Sequence, residues 1–189
     1  MNNNRRPAGD WSVLIIAFII CAIVLGTLMI QKYEDRHHKP ITPPPAEQQG
    51  AMLVTLFFAS TDGVALVREG REVDACSEPK ECVEEVVGEL INGPMGNLAP
   101  TLPSTTTLRS VSIEGDKALV DLGDEIVNGL PGGSSSEMLA VYSIVNTVAV
   151  NFPRIRLVKL MINGKEAETL KGHIDLSEPL GPDYDLERK

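Results

Sequence analysis

Met52-Leu53-Val54-Thr55-Leu56-Phe57-Phe58-Ala59 is an uncharged run rich in β-branched and aromatic side chains, and the turn pair Asp62-Gly63 follows it closely. A run of this length and composition predicts a buried strand, and the turn folds the chain back into residues 64–68 as the second arm of a hairpin. The same signal recurs twice downstream. Residues 108–113 and 117–122 flank Glu114-Gly115-Asp116, which sets Val111 and Ile113 on one face with Ala118, Val120 and Leu122. Residues 155–162 then meet residues 165–167 across Asn163-Gly164, a type I′ hairpin signal.

Two helices interrupt these hairpins. Val83, Val86, Val87, Leu90 and Ile91 recur at helical spacing, with Glu81, Glu84, Glu85 and Glu89 on the opposite face. Ser77 is placed to cap this helix, Pro79 lies in its first turn, and Asn92-Gly93-Pro94 stops it. The second helix opens after Pro131-Gly132-Gly133, where Ser134 and Glu137 form a capping-box pattern ahead of residues 138–151. Only Ser143, Asn146, Thr147 and Asn151 interrupt its apolar surface. Such a helix needs cover on more than one side, from its own sheet or from a partner. Met138, Val141, Tyr142 and Val145 are the contact candidates in the second case.

The resulting order is β-β-α-β-β-α-β-β. It predicts an α+β domain over residues 51–176, with a mixed, largely antiparallel sheet and both helices packed on one face. The connector at residues 95–107 is long for a compact domain. Leu98 and Leu102 are expected to tack it over the edge of the core, a binding loop being the alternative.

Ahead of this domain, residues 13–30 carry no charge. At the helical rise they extend roughly 27 Å, close to a hydrocarbon core of about 30 Å. With Trp11 and Tyr33 at the interfaces they predict one transmembrane helix in the cytoplasmic (inner) membrane. No Ala-x-Ala-like site follows Ile30, and Cys21 follows Phe18-Ile19-Ile20 where a lipidation signal would want a small residue. A single-pass anchor is therefore expected, with residues 1–12 as a cytoplasmic N-terminus.

Residues 31–50 are charged and then Pro-rich at Pro40, Pro43, Pro44 and Pro45, which predicts a stalk in which His37 and His38 are solvated. Residues 177–189 are expected to form a flexible C-terminal tail. Arg5 and Arg6 before the span are matched by Lys32, Arg36 and Lys39 after it, so the flanking charges choose no side.

The cysteines bear on that choice. Cys76 and Cys82 lie six positions apart and can close a small loop, and a disulfide is the expectation if the domain lies outside the cytoplasm. Two free thiols are the alternative, and C-x5-C without a second ligand pair is a poor zinc pattern. The formal net charge is −9, with no basic patch interleaved with aromatics, which argues against nucleic acid as a partner.

No catalytic set emerges. Gly132-Gly133-Ser134 lacks the lysine of a P-loop, the serines lack a G-x-S-x-G frame, and His173 is the one histidine of the folded region. Asp121, Asp124, Glu125 and Asp175 could gather round a divalent ion, but acidic residues at strand ends are ordinary in an acidic chain. His173 and Asp175 are expected to fix the closing turn of the domain. The residues thus predict a chain without cofactor or metal.

The motifs Val54-Thr55-Leu56-Phe57-Phe58, Val87-Gly88-Glu89-Leu90-Ile91-Asn92-Gly93-Pro94 and Pro100-Thr101-Leu102-Pro103 follow one another in order. After them come Ala118-Leu119-Val120-Asp121-Leu122, Gly132-Gly133-Ser134 with the segment from Glu137 to Thr147, and Gly172-His173-Ile174-Asp175. In this order and spacing they resemble the GerMN domain of bacterial sporulation, spore-germination and other envelope proteins. The resemblance implies a non-catalytic extracytoplasmic module, similar in fold to ring-building motifs of secretion and sporulation assemblies. It also implies partners among other envelope proteins or the cell wall machinery. The function expected of the domain is docking on a protein partner or on copies of itself, with binding or hydrolysis of wall polymer as the alternative. Two features depart from the sporulation prototype: one domain copy in place of a tandem pair, and an apolar span in place of a lipidated cysteine.

Overall fold

The computed structural model describes residues 10–37 and 50–188. The chain divides into two compact units, Met1–Gln48 and Gln49–Lys189. In the first, α1 (Asp10–His37) is a 28-residue helix whose described side chains are exposed. It runs through the first residues assigned to the stalk, and the Pro-rich remainder of that stalk lies outside the described residues. So do most of the N-terminal segment and the side chains of Trp11, Tyr33 and His37. Among the described residues no helix is long and apolar enough to cross a membrane.

The second unit is the α+β domain. Its elements are β1 (Ala51–Ala59), β2 (Leu66–Asp74), α2 (Pro79–Asn92), β3 (Leu108–Glu114), β4 (Lys117–Leu122), α3 (Glu125–Gly129), α4 (Ser134–Asn151), β5 (Leu157–Ile162) and β6 (Lys165–Glu166), and then a 3-10 turn at Tyr184–Leu186. The order matches the sequence expectation with the short α3 added. The single sheet does not: β1 and β2 form a two-stranded antiparallel sheet, and β3-β4-β5-β6 form a second. In the second, β4 and β5 are parallel. A parallel pair needs a long crossover, and α3 with α4 supplies it. β2 also starts later than the predicted arm, because residues 61–65 form the turn.

The edge of β1 away from β2 explains why the two sheets remain separate. α4 runs along that edge, and its polar stripe takes the place of a neighbouring strand. The Thr55 N–H donates to Asn151 Oδ1 at 2.9 Å, the Asn151 amide donates back to the Thr55 carbonyl at 2.7 Å, and the Phe57 N–H donates to Thr147 Oγ1 at 3.0 Å. The connector closes the end of the same edge, where Ala59 and Ala99 exchange both backbone hydrogen bonds. Its Leu102 is buried and Leu98 packs against the core.

Apolar faces of both sheets, α2 and α4 make the main core, including Leu56, Phe58, Val87, Val120, Ile144 and Leu160. Phe57, Ala59, Leu66 and Leu139 form a second cluster. Burial of each of the larger of these side chains contributes about 1.5–3 kcal/mol.

Local chemistry sets the turns. Asn163 and Gly164 have φ of 51° and 74°, as a type I′ turn demands, and the Gly164 N–H donates to Asp121 Oδ1 at 2.8 Å. At α2 the cap is Glu78 and not Ser77, with Pro79 in the first turn. Cys76 and Cys82 form a disulfide with Cα atoms 5.3 Å apart, which ties the segment before α2 to its first turn.

Residues 177–188 are not a free tail. Leu180 pairs with Val158 beside β5, and Glu187 pairs with Leu66 beside β2. Between them Asn146 grips the backbone of Asp183 through both its amide nitrogen and its carbonyl oxygen, at 2.7 and 2.9 Å. The sequence predicts a free tail because the anchors of this segment are backbone contacts, one distant asparagine and two ion pairs, Arg68–Glu187 and Arg188–Asp62, whose partners are far apart in sequence.

Candidate interaction surface

The contact candidates on α4 divide on burial. Val141 and Val145 are fully buried in the main core and offer nothing to a partner. Met138 and Tyr142 are half-buried. The helix is covered by its own domain, since it is flanked by β1, α2 and β5.

Glu137 has a different role from the one its sequence position suggests. α4 begins at Ser134 with Gly133 as its cap, so the capping box is not formed. Glu137 is instead fully buried. Its Oε1 accepts the N–H groups of Leu170 and Lys171 at 3.0 Å and of Ile174 at 3.3 Å, and its Oε2 accepts that of His173 at 2.9 Å. Burial raises its pKa, but the donors at Lys171, His173, Ile174 and Leu170 outweigh it and hold the carboxyl below its ordinary value. One helical carboxylate thus organises the closing loop.

That loop borders an open hollow of about 490 Å³ lined by Glu168, His173, Asp175 and Ser177 among others. The His173 main chain is held by Glu137, and Asp175 Oδ1 accepts from both the N–H and the hydroxyl of Ser177. Lys159, buried on β5, donates to the Leu176 and Ser177 carbonyls from beneath.

The remaining acidic candidates do not converge. Asp121 pairs with Arg109 at 3.2 Å and caps the Asn163-Gly164 turn, while Asp124 and Glu125 start α3. Among the described residues no group of three or more His, Cys, Asp or Glu side chains is placed to hold a metal ion.

Arg71 makes a second buried polar centre. Its guanidinium pairs with Glu69 at 2.5 Å and Glu89 at 2.7 Å, and donates to the Glu89 and Gly93 carbonyls. Glu69 in turn accepts the Met95 and Gly96 N–H groups, so the turn after α2 is docked on β2. Met95 is left 82% exposed, and Leu53 on β1 76% exposed, the most exposed of the large apolar side chains of the domain.

At the outer side of β2, Arg68 forms a two-pronged pair with Glu187 at 2.7 and 2.9 Å, and its guanidinium lies 5.2 Å from the Phe57 ring. Arg188 pairs with Asp62 at 2.5 Å, which pulls that carboxyl down to about 2 through the Arg188 hydrogen bond first and Ser60 second. These long-range pairs, like the Glu137 clasp, have no local sequence signature.

Comparison with known proteins follows the fold. Among curated proteins none matches the chain. A "putative lipoprotein" of Clostridium perfringens has a solved structure that is 25% identical with a TM-score of 0.52, covering 74% of this chain and 94% of that one. The tandem GerMN domains of the sporulation protein GerM from Bacillus subtilis align at 24% identity and a TM-score of 0.55, over 70% of this chain and 46% of that one. The first GerMN domain of the same protein aligns at 22% and 0.50, over 69% and 97%. The two GerM structures show likeness of fold, and this chain spans less than half of the tandem pair. The family model Germane, described as sporulation and spore germination, matches residues 55–168, which is more than half of the sequence. The chain belongs to the Germane family.

Proposed function

We propose that this chain is a non-catalytic, membrane-anchored interaction module of the bacterial envelope, with its domain on the outer side of the cytoplasmic membrane and an envelope protein or a second copy as partner. The observation that carries the reading is that five of the domain's buried or paired chemistry-bearing side chains are engaged in holding it together. Glu137, Asp121, Asp175, Lys159 and Arg71 each serve a turn, a loop or a strand. A general acid or nucleophile needs a free, aimed group, and these are committed elsewhere.

The anchor rests on the uncharged run 13–30 within the 28-residue α1, and the outward side on the Cys76–Cys82 disulfide, a bond that persists in oxidising compartments. The lipoprotein description of the Clostridium perfringens relative agrees with that placement.

The test is size measurement of the full chain in detergent, joined to crosslinking in membranes. An oligomer or a reproducible protein partner is expected. A strictly monomeric, partnerless chain overturns the reading.

A second reading draws on the open hollow beside the closing loop: binding of wall polymer through Glu168, His173 and Asp175. Binding to isolated wall material that is abolished by His173→Ala and Asp175→Ala favours it. Binding unchanged by both excludes this hollow.

A further inference from the structure

β2 is the outer strand of a two-stranded sheet, and the contacts of β1 show which way its amides point. Thr55, Phe57 and Ala59 turn their backbone groups toward α4 and the connector. The ladder to β2 therefore runs through Met52, Val54, Leu56 and Phe58, which face Val73, Arg71, Glu69 and Val67. Leu66, Arg68, Gly70, Glu72 and Asp74 are left with N–H and C=O groups aimed away from β1. The Leu66 carbonyl does accept an N–H from that side, from Arg188 at 2.8 Å. Among the described residues the outward amides of Arg68, Gly70 and Glu72 meet no protein partner.

The sequence along this edge is complementary to itself. Run antiparallel against a second copy about Gly70, Val67-Arg68-Glu69-Gly70-Arg71-Glu72-Val73 sets valine on valine, Arg68 on Glu72, Glu69 on Arg71 and glycine on glycine. The phase is also right. Gly70, Arg68 and Glu72 all point outward, so a two-fold axis at Gly70 makes Gly70 with Gly70 and Arg68 with Glu72 the hydrogen-bonded pairs of the new ladder. Arg68, Gly70 and Glu72 are exposed, and opposite charges directly across an antiparallel pair are stabilising. A bare strand edge invites such pairing, and a two-fold contact is the self-limiting form of it.

One end of the edge is occupied. Glu187 pairs with Leu66 and grips Arg68, holding the place that Glu72 and Asp74 of a second copy would need. The Arg68–Glu187 pair is the intramolecular counterpart of the pair between copies.

We propose that β2 pairs antiparallel with β2 of a second copy about Gly70, joining two hairpins into one four-stranded sheet, and that the C-terminal strap regulates this by covering the Leu66–Arg68 end. The inference rests on the reading of the chain as an associating module and names the surface and the partner.

The experiment uses the full chain in membranes, with Cys21→Ser to remove the free thiol and Gly70→Cys on the proposed axis. A Cβ at Gly70 meets only Leu53 Cδ1, at 3.9 Å, so the substitution fits. Under copper-phenanthroline oxidation, Gly70→Cys is expected to give a disulfide dimer, and Val64→Cys at the hairpin turn is not. Loosening the strap with Glu187→Ala and Arg188→Ala, which leaves Tyr184 in place, is expected to raise the yield. Glu72→Arg is expected to lower it about tenfold, and Arg68→Glu with Glu72→Arg to restore it.

A Gly70→Cys yield no higher than that of Val64→Cys, with the strap intact and loosened, overturns the proposal, as does indifference to Glu72→Arg. If that happens while lysine crosslinks to another protein persist, the edge pairing falls and the interaction reading stands. If those crosslinks are absent too, both fall.

Discussion

The His173 backbone N–H donates to the buried carboxylate of Glu137 at 2.9 Å, across 36 positions of sequence. With three further N–H donors on the same carboxylate, this bond makes the closing loop a dependent of α4. Glu137→Ala strands four N–H groups and is expected to destabilise the domain by about 3 kcal/mol or more. Urea unfolding measures the loss. Hydrogen exchange should show it concentrated at Leu170 to Ile174, and unchanged exchange there would refute the clasp.

The same carboxylate gives a pH dependence whose sign is fixed. Its folded-state pKa is lowered from 4.5, so its contribution is complete above that value and is lost as pH falls through the lower folded value. The stability difference between the native chain and Glu137→Gln should therefore shrink as pH drops below 4.5. Asp175 and Asp116 are also lowered, but they remain in both proteins and cancel in the difference. A gap that stays constant with pH would contradict the assignment.

Asn151 closes the edge of β1 with two hydrogen bonds to Thr55 and also donates to the Thr147 carbonyl of its own helix. Asn151→Ala is expected to cost about 1–3 kcal/mol, and Asn151→Asp, which keeps one acceptor but sets a carboxylate oxygen against the Thr55 and Thr147 carbonyls, at least as much. Denaturant midpoints at constant m-value check this. Equal stability of all three would show that α4 does not serve as the missing strand.

The Cys76–Cys82 bridge closes a short loop, so reducing it is expected to cost about 2 kcal/mol on the loop-entropy estimate. Thermal unfolding with and without reductant measures the shift. Thiol titration of the oxidised, unfolded protein should find one reactive cysteine, Cys21, and three would mean that the bridge does not form in the cell.

Local signals account for what the sequence revealed of the fold. The run at Met52 to Ala59, the Asn163-Gly164 turn and the spacing of Val83, Val86, Val87 and Leu90 act within a few residues, and each predicted its element. The second sheet, the parallel β4–β5 pair and the docked C-terminus depend on contacts far apart in sequence. Asn151 with Thr55, Asn146 with Asp183 and Arg68 with Glu187 are such contacts, and no window of sequence contains both members of any of them.

Glu137 illustrates the ambiguity most clearly. Its position three after Ser134 is what a capping box requires, and only tertiary structure reveals that the carboxylate faces inward. The apolar surface of α4 was visible as a burial problem, and the domain solves it internally, which removes Val141 and Val145 from any interface.

The central claim, an anchored module that associates outside the cytoplasm, is tested most directly by treating intact cells with a membrane-impermeant lysine crosslinker. The exposed Lys80 and Lys171 should be modified without lysis, and crosslinks should join them to a second copy or to an envelope protein. Modification that requires broken cells, or crosslinks confined within single chains, would contradict it.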